Sequence, residues 1–485
     1  GNGVKDYNLE LVMLSKSTFV QLFSQEIPHQ LTNGQREAIV RITEFLYRRD
    51  PTQLFVLKGY AGTGKTTLVS ALVRTFRRLQ KKTVLLAPTG RAAKVFAAYS
   101  GSKAFTLHKH LYNLVQNEEG THISRKRNKN HHTLFIVDEV SMIPIGANGE
   151  NWGDRDLLAD LIDYVFEGEG NKLLFIGDDA QLPPVFSEES PALELDYLRS
   201  SFSLNAESYQ LTEVVRQTHD SGILFNATAL RTKIEQNDYS LPLFWETDFS
   251  DFHRLSSIDL EDKINELYSY QEPEETVIIT RSNKRANIFN QEIRNRVFFR
   301  DNEIASGDFL MIVKNNYNWV EKNSSIGFLA NGELIEVLAV RKREELYGFH
   351  FADVSVRFCD YPDYPEMEIK ILLETLSSEG AALPKDQQRQ LYIEVAKDYE
   401  DIADKRIRAL KMRGNPYLNA VQVKFAYALT CHKTQGGQWA NTCIDLNYFS
   451  EDQLNKETFR WLYTALTRTT EQVYLINFPD EFFEK

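Results

Sequence analysis

Nine consecutive residues, GYAGTGKTT at 59–67, constrain the fold of this 485-residue chain more than any other segment. They satisfy the spacing GxxxxGK[ST] through Gly59, Gly64, Lys65 and Thr66, after an apolar run at 54–58 (LFVLK) and before a helical pattern over 66–79. Glycines at these positions let successive backbone N–H groups turn toward phosphate oxygens, and the following helix N-terminus adds a favourable dipole. Gly59, Ala61, Gly62, Thr63, Gly64, Lys65, Thr66 and Thr67 are therefore candidate nucleotide ligands. Lys65 would bridge the β- and γ-phosphates, and the Thr66 hydroxyl would face Mg²⁺. A Gly-rich turn with an incidental lysine is the alternative; the strand before and the helix after count against it.

Further apolar runs occur at 83–87 (TVLLA), 133–137 (TLFIV), 172–176 (KLLFI), 276–280 (TVIIT), 423–429 and 472–476 (QVYLI), with helical patterns at 91–99 and 283–296. Continuous apolar strands alternating with helices predict parallel sheets covered on both faces, an α/β fold. Ligand residues then gather at the strands' carboxyl ends. One such end carries Asp138 and Glu139: the Asp is placed to hold Mg²⁺ with Thr66, and the Glu to orient or deprotonate an attacking water. An isolated Asp-Glu pair would read as a solvated turn; beside a phosphate loop it reads as a hydrolysis site. Charge developing on a γ-phosphate needs a further cation, and Arg216 and Arg468 are the candidates.

Length alone predicts roughly three or four domains. Residues 111–132 are polar and aperiodic with a basic cluster (Arg125, Lys126, Arg127), and read as a hairpin insertion that is either a solvated loop or a duplex-contacting one. Residues 307 to about 357 read as short β-strands with a turn at Asn331-Gly332, and 366–412 as charged and helix-prone, an arm broken at 380–384. No apolar run approaches a membrane span, and the N-terminus lacks a basic segment leading into an apolar one. Three scattered cysteines show no metal or disulfide spacing, which predicts a reducing, cytoplasmic setting. The net charge of −12 argues against a generic nucleic-acid coat but not against a local positive groove.

In chain order, a larger set of segments now falls into place: LTNGQ at 31–35, the phosphate loop, APTGRAA at 87–93, FTLH at 105–108, DEVSM at 138–142, GDDAQLPPV at 177–185, Arg216, ALTCHKTQG at 428–436 and LYTALTRT at 462–469. This order resembles the superfamily 1 helicases, in particular the RecD and phage Dda type. The resemblance implies two RecA-like domains, a small hairpin insertion in the first and an SH3-like β-module with a helical arm inserted in the second. The implied boundaries are an N-terminal extension 1–27, the first domain 28–220 with the 111–132 insertion as a strand-separating pin, the second domain 221–306 and 425–485, and the β-module 307–424. It implies ATP and Mg²⁺ as cofactors, Gln35 reading adenine, Gln181 sensing the γ-phosphate, Arg468 as an arginine finger from the second domain, and Gly436 beside the nucleotide. It implies contacts to single-stranded DNA from Pro88, Thr89, Gly90, Thr106, His108, Thr430, His432 and Thr434, with movement 5′ to 3′, engagement of single-strand/duplex junctions and a monomeric motor. The residues also support strand binding directly, because strand-end loops in both α/β domains carry hydroxyls, backbone N–H groups and an imidazole suited to phosphate. For His108 and His432 the competing reading is a packed, hydrogen-bonded histidine. Two other functions stay open on the residues: a phosphate-loop ATPase independent of DNA, and a scaffold with a degenerate nucleotide site. No spare region is large enough for an added nuclease.

Overall fold

The computed structural model describes residues 14–485 apart from 118–119, 147–154, 216–218, 271, 322–323 and 325. Its first sheet has six parallel strands in the spatial order Ala104–Thr106, Lys82–Ala87, Thr133–Val137, Lys172–Gly177, Gln53–Gly59, Asn205–Leu211. The inner strands Gln53–Gly59, Thr133–Val137 and Lys172–Gly177 are largely apolar because both faces are covered, whereas the edge strand Asn205–Leu211 is mostly polar and half-buried. Phe55, Leu57, Ile136 and Leu174 pack into one buried cluster, while Leu54, Val56, Phe135, Val137 and Leu173 pack into another. Alternate side chains thus feed opposite helical layers, which is why no polar face interrupts the runs.

The second sheet is also parallel, with five strands ordered Ala428–Thr430, Thr276–Thr280, Trp439–Asp445, Thr469–Ile476, Phe252–Leu255. The chain leaves it to form a closed barrel from Phe309–Ile312, Leu334–Leu346, Phe349–Phe358, Met367–Leu372 and Val421–Phe425. These are the two RecA-like domains and the small inserted barrel that the resemblance implied. A two-stranded antiparallel hairpin, Tyr112–Asn117 with Gly120–Arg125, stands in the first domain where an insertion was expected.

Two expectations change. Residues 366–372 read as part of a charged helical arm, yet Met367–Leu372 is a barrel strand paired antiparallel with residues 351–356. Its last four residues are buried, Ile369 and Ile371 in the core that the barrel shares with the second sheet and Leu372 in a separate cluster beneath the arm. The arm proper begins later, as helices Lys385–Ala396 and Lys405–Arg413. Likewise the apolar run at 423–429 is not one strand. It closes the barrel with Val421–Phe425 and then enters the second sheet with Ala428–Thr430. The turn between them is held by Tyr427, whose hydroxyl donates to Asp308 (3.1 Å) and accepts from Arg300 (2.8 Å). Among the described residues no helix is long and apolar enough to cross a membrane.

Candidate nucleotide and strand site

Strand Gln53–Gly59 delivers the phosphate loop to the edge of the first domain, and helix Lys65–Arg78 begins inside it. Gly62 and Gly64 have φ of 77° and 80°, a region that L side chains avoid. Gly64 caps the helix without any side-chain bond, so its first N–H groups stay open to an anion. A Cβ on Gly64 would fall 2.3 Å from Gln35 Nε2, so the glycine is required for space as well as for backbone. Thr63 is turned inward, its hydroxyl donating to the Tyr60 carbonyl (2.7 Å). Lys65 Nζ donates to the Gly59 carbonyl (2.9 Å), folded back along the loop.

Asp138 lies beneath this loop, buried, and accepts from the Tyr99 hydroxyl and from the Glu139 backbone N–H (2.8 Å). Burial, with the Glu139 charge second, pushes its carboxyl up to about 6. Asp178 is raised to about 6 as well, again by burial, with Lys65 acting in the opposite sense. A cation offsets that desolvation, and the donors fit Mg²⁺ as usually bound to nucleotide: one carboxylate, one hydroxyl and phosphate oxygens. Among the described residues no group of three or more His, Cys, Asp or Glu side chains could hold a metal by itself, so Thr66 and Asp138 would hold the ion with the phosphates.

Glu139, Gln181, Thr66 and Thr67 line one cleft of about 480 Å³ together with Thr467, Arg468 and Thr469 of the second domain. Two buried polar atoms, Gln181 Oε1 in the cleft and Gln35 Nε2 beside Gly64, have no hydrogen-bond partner among the described residues. The Gln35 carbonyl oxygen is already used, accepting from the Thr32 backbone in a capping box at the start of helix Asn33–Tyr47. Its amide N–H₂ is thus a fixed donor beside Gly64, suited to a ring nitrogen of a base. Arg468 is buried in the cleft wall, its guanidinium donating to the carbonyls of Thr464 (3.2 Å) and Gly437 (3.1 Å). A larger cavity of about 880 Å³ beside helix Gly222–Glu235 is lined mainly by apolar side chains such as Leu224, Phe225, Leu241 and Phe249, and lacks this chemistry.

Matches to known proteins follow the same division. An AAA domain model matches residues 30–238, and a UvrD-like helicase C-terminal domain model matches residues 425–476. The chain is 33% identical to the ATP-dependent RecD2 DNA helicase of Deinococcus radiodurans over 37% of this chain and 22% of that protein. It is 26% identical to the ATP-dependent DNA helicase dda of Enterobacteria phage T4 over 64% of this chain and 67% of that protein. The chain belongs to the superfamily 1 helicases. Protein R530 of Acanthamoeba polyphaga mimivirus matches over 89% of this chain and 97% of its own at 22% identity. A solved Pif1 helicase covers 94% of this chain and 95% of its own at 17% identity, with a TM-score of 0.47.

Arg216 lies outside the described residues. Gly436 is not in the nucleotide cleft: it has φ 75°, and a Cβ there would come within 2.8 Å of Ala92 Cβ and 3.4 Å of Thr89 Oγ1. Its place is the contact between the two α/β domains, where the backbone approaches too closely for a side chain. That contact borders a crevice of about 160 Å³ lined by Thr89 and Arg91 from the first domain, His432 and Lys433 from the second, and Asn331 and Gly332 from the barrel. Of the residues expected to grip a strand, Thr89 of the first domain and His432 of the second therefore share one opening.

Several of the expected strand contacts, however, are already engaged. Thr89 and Thr106 cap helices, accepting from Ala92 N (3.2 Å) and Lys109 N (3.2 Å). Thr434 is fully buried and donates to the Cys431 carbonyl (2.7 Å). Thr430 is the cap residue of the short helix Cys431–Thr434, and Pro88 and Gly90 flank Thr89. His108 is buried, and burial holds its imidazole well below the usual histidine range, so it is neutral at physiological pH. Half-buried His432 is lowered too, by burial. What Thr89 and Thr106 contribute locally is order at helix N-termini, whose backbone N–H groups suit phosphate. Sequence reasoning did not single out Asp178, Tyr463, Thr464 or Gln435. The Gln435 amide donates to the Leu182 carbonyl (2.6 Å) and Thr464 Oγ1 accepts from Leu182 N (2.9 Å), both across the domain boundary.

Proposed function

We propose that this chain is an ATP-driven DNA helicase that translocates 5′ to 3′ on single-stranded DNA and separates duplex at junctions, working as a single chain. The observation that supports it most is the shared cleft, in which the phosphate loop and Asp138-Glu139 of one domain face Arg468 of the other. Hydrolysis at such a boundary changes the relation of two domains. In this reading the Gly62–Lys65 backbone cradles the phosphates and Lys65 leaves the Gly59 carbonyl to bridge the β- and γ-oxygens. Glu139 accepts a proton from the attacking water, Gln181 offers its unpaired oxygen to that water, and Arg468 swings from its carbonyl partners toward developing negative charge. Thr66 and Asp138 would hold Mg²⁺, which would supply charge neutralisation to the phosphates. The strand crevice opens between the same two domains, so closure and reopening alternate the grip.

ATP hydrolysis is measured with single-stranded DNA, with RNA and without nucleic acid, followed by unwinding of duplexes bearing a 5′ or a 3′ single-stranded tail. DNA-stimulated hydrolysis and unwinding from the 5′ tail are expected, and Lys65→Ala removes both while leaving strand binding. Unwinding only from a 3′ tail overturns the polarity, and hydrolysis indifferent to DNA favours a phosphate-loop ATPase that is not a motor.

A further inference from the structure

Tyr463 lies in helix Lys456–Leu466 of the second domain and is fully buried. Its hydroxyl makes both bonds available to a phenol in one line. It accepts from the backbone N–H of Ala61 in the phosphate loop (2.8 Å) and donates to Asp178 Oδ2 (2.5 Å). The second Asp178 oxygen accepts from Ala180 N (2.9 Å). One side chain from the second domain therefore ties together the phosphate loop and the 177–185 segment of the first. Its neighbour Thr464 repeats the link at Leu182 N, and the Thr464 carbonyl is the acceptor that holds Arg468 Nε. The path from Ala61 to the Arg468 guanidinium runs through one helical turn.

We propose that Tyr463 is a positioning residue that registers the arginine-bearing end of this helix against the phosphate loop, so that loop movement on nucleotide binding is passed to Arg468. This rests on the hydrolytic reading above. Three features favour it over simple packing. The phenol has few torsions and is enclosed, so its hydroxyl reports the loop's position rather than adapting to it. Asp178 is almost fully buried, so losing the Tyr463 donor while the cleft stays closed leaves its carboxylate short of a partner, and the bond favours one register of the two domains. And Ala61 precedes Gly62–Lys65, the backbone that would meet phosphate, so the hydroxyl contacts the loop without blocking the ligand.

The test uses the full chain carrying Tyr463→Phe, which keeps the ring and removes only the hydroxyl. With saturating single-stranded DNA, kcat falls at least tenfold while the KM for ATP stays within twofold. Affinity for ADP is unchanged, and affinity for ADP with aluminium fluoride falls by a factor similar to kcat. Because Tyr463 acts through Arg468, adding Tyr463→Phe to Arg468→Ala produces no further loss. A kcat within twofold of the unmutated chain, or losses that multiply in the double variant, overturns the proposal. Should Tyr463→Phe fail to fold, Asp178→Asn carries the same comparison with Arg468→Ala. An unmutated chain that does not hydrolyse ATP sinks the proposed function; a hydrolysing chain with an indifferent Tyr463→Phe sinks only this link.

Discussion

Glu139 occupies the left-handed backbone region, with φ 53° and ψ 38°, directly after Asp138 at the end of strand Thr133–Val137. For a residue with a long side chain this conformation costs of order 1–3 kcal/mol and persists only where the surroundings enforce it. Here the Glu139 N–H is fastened to the Asp138 carboxylate, and the strain sits where a carboxylate must face the cleft. Glu139→Gln is expected to bind ATP normally while kcat drops about 100-fold or more; steady-state hydrolysis beside nucleotide-binding titration separates the two, and unaltered turnover would remove Glu139 from the mechanism. Gln35 has a different part. Its buried N–H₂ has no partner among the described residues, so Gln35→Ala should raise the KM for ATP roughly tenfold at constant kcat, the loss of one hydrogen bond of about 1.4 kcal/mol. Thr32→Ala disrupts the same capping box without removing the amide, and is the control for mere fraying of helix Asn33–Tyr47.

At the level of strands and helices, the parallel sheets were legible because a strand buried on both faces is written as an unbroken apolar run. The same rule hides what the run does. Residues 423–429 serve two sheets, and 366–372 look helical by charge though the last four are buried in a barrel wall. Local pattern cannot separate these cases, since the deciding partner lies elsewhere in the chain. Strand Lys172–Gly177 carries a titratable exception. Lys172 is almost wholly buried, donates to the Arg48 carbonyl (2.7 Å) and is lowered by burial to about 8. The unfolded chain keeps the ordinary lysine value of 10.5, so between about 8 and 10.5 it binds more protons than the fold, and stability rises with pH across that window. Lys172→Met should accordingly stabilise the protein by about 1–3 kcal/mol at pH 7, with the gain shrinking to little above pH 10.5. Denaturant midpoints across pH check this; a gain that does not vary with pH would mean that packing, not charge burial, dominates.

Across the molecule, the barrel is attached at both ends by buried charge. On the second domain Asp308 accepts from Arg294 (3.0 Å), Arg300 (2.9 Å) and the Tyr427 hydroxyl, with Arg294 itself almost fully enclosed. On the first domain Arg91 meets Asp360 (3.3 Å), and Lys109 pairs with Glu333 while lying 4.4 Å from the Tyr361 ring. Removing one partner of such a set leaves an uncompensated buried charge, so Asp308→Ala should cost about 3–5 kcal/mol, read by chemical denaturation. A loss under 1 kcal/mol would show that water reaches Arg294. The phosphate loop, the acidic pair and the order of the α/β elements follow from neighbours in the chain, because strand, turn and helix chemistry acts over a few residues. The Tyr463–Asp178 bond joins positions 285 residues apart, and the Lys109–Glu333 pair positions 224 apart. No spacing rule reaches that far. Thr89 and Thr106, read as strand contacts, also cap helices, and Gly436, read as lying beside nucleotide, also lies close against Ala92 and Thr89 of the first domain, since a residue type states what it can bond and packing states what stands within reach. The cleft at Gly59–Thr67 is thus written in the sequence as a phosphate site. That it faces Arg468 and Tyr463 is a property of how the two sheets meet.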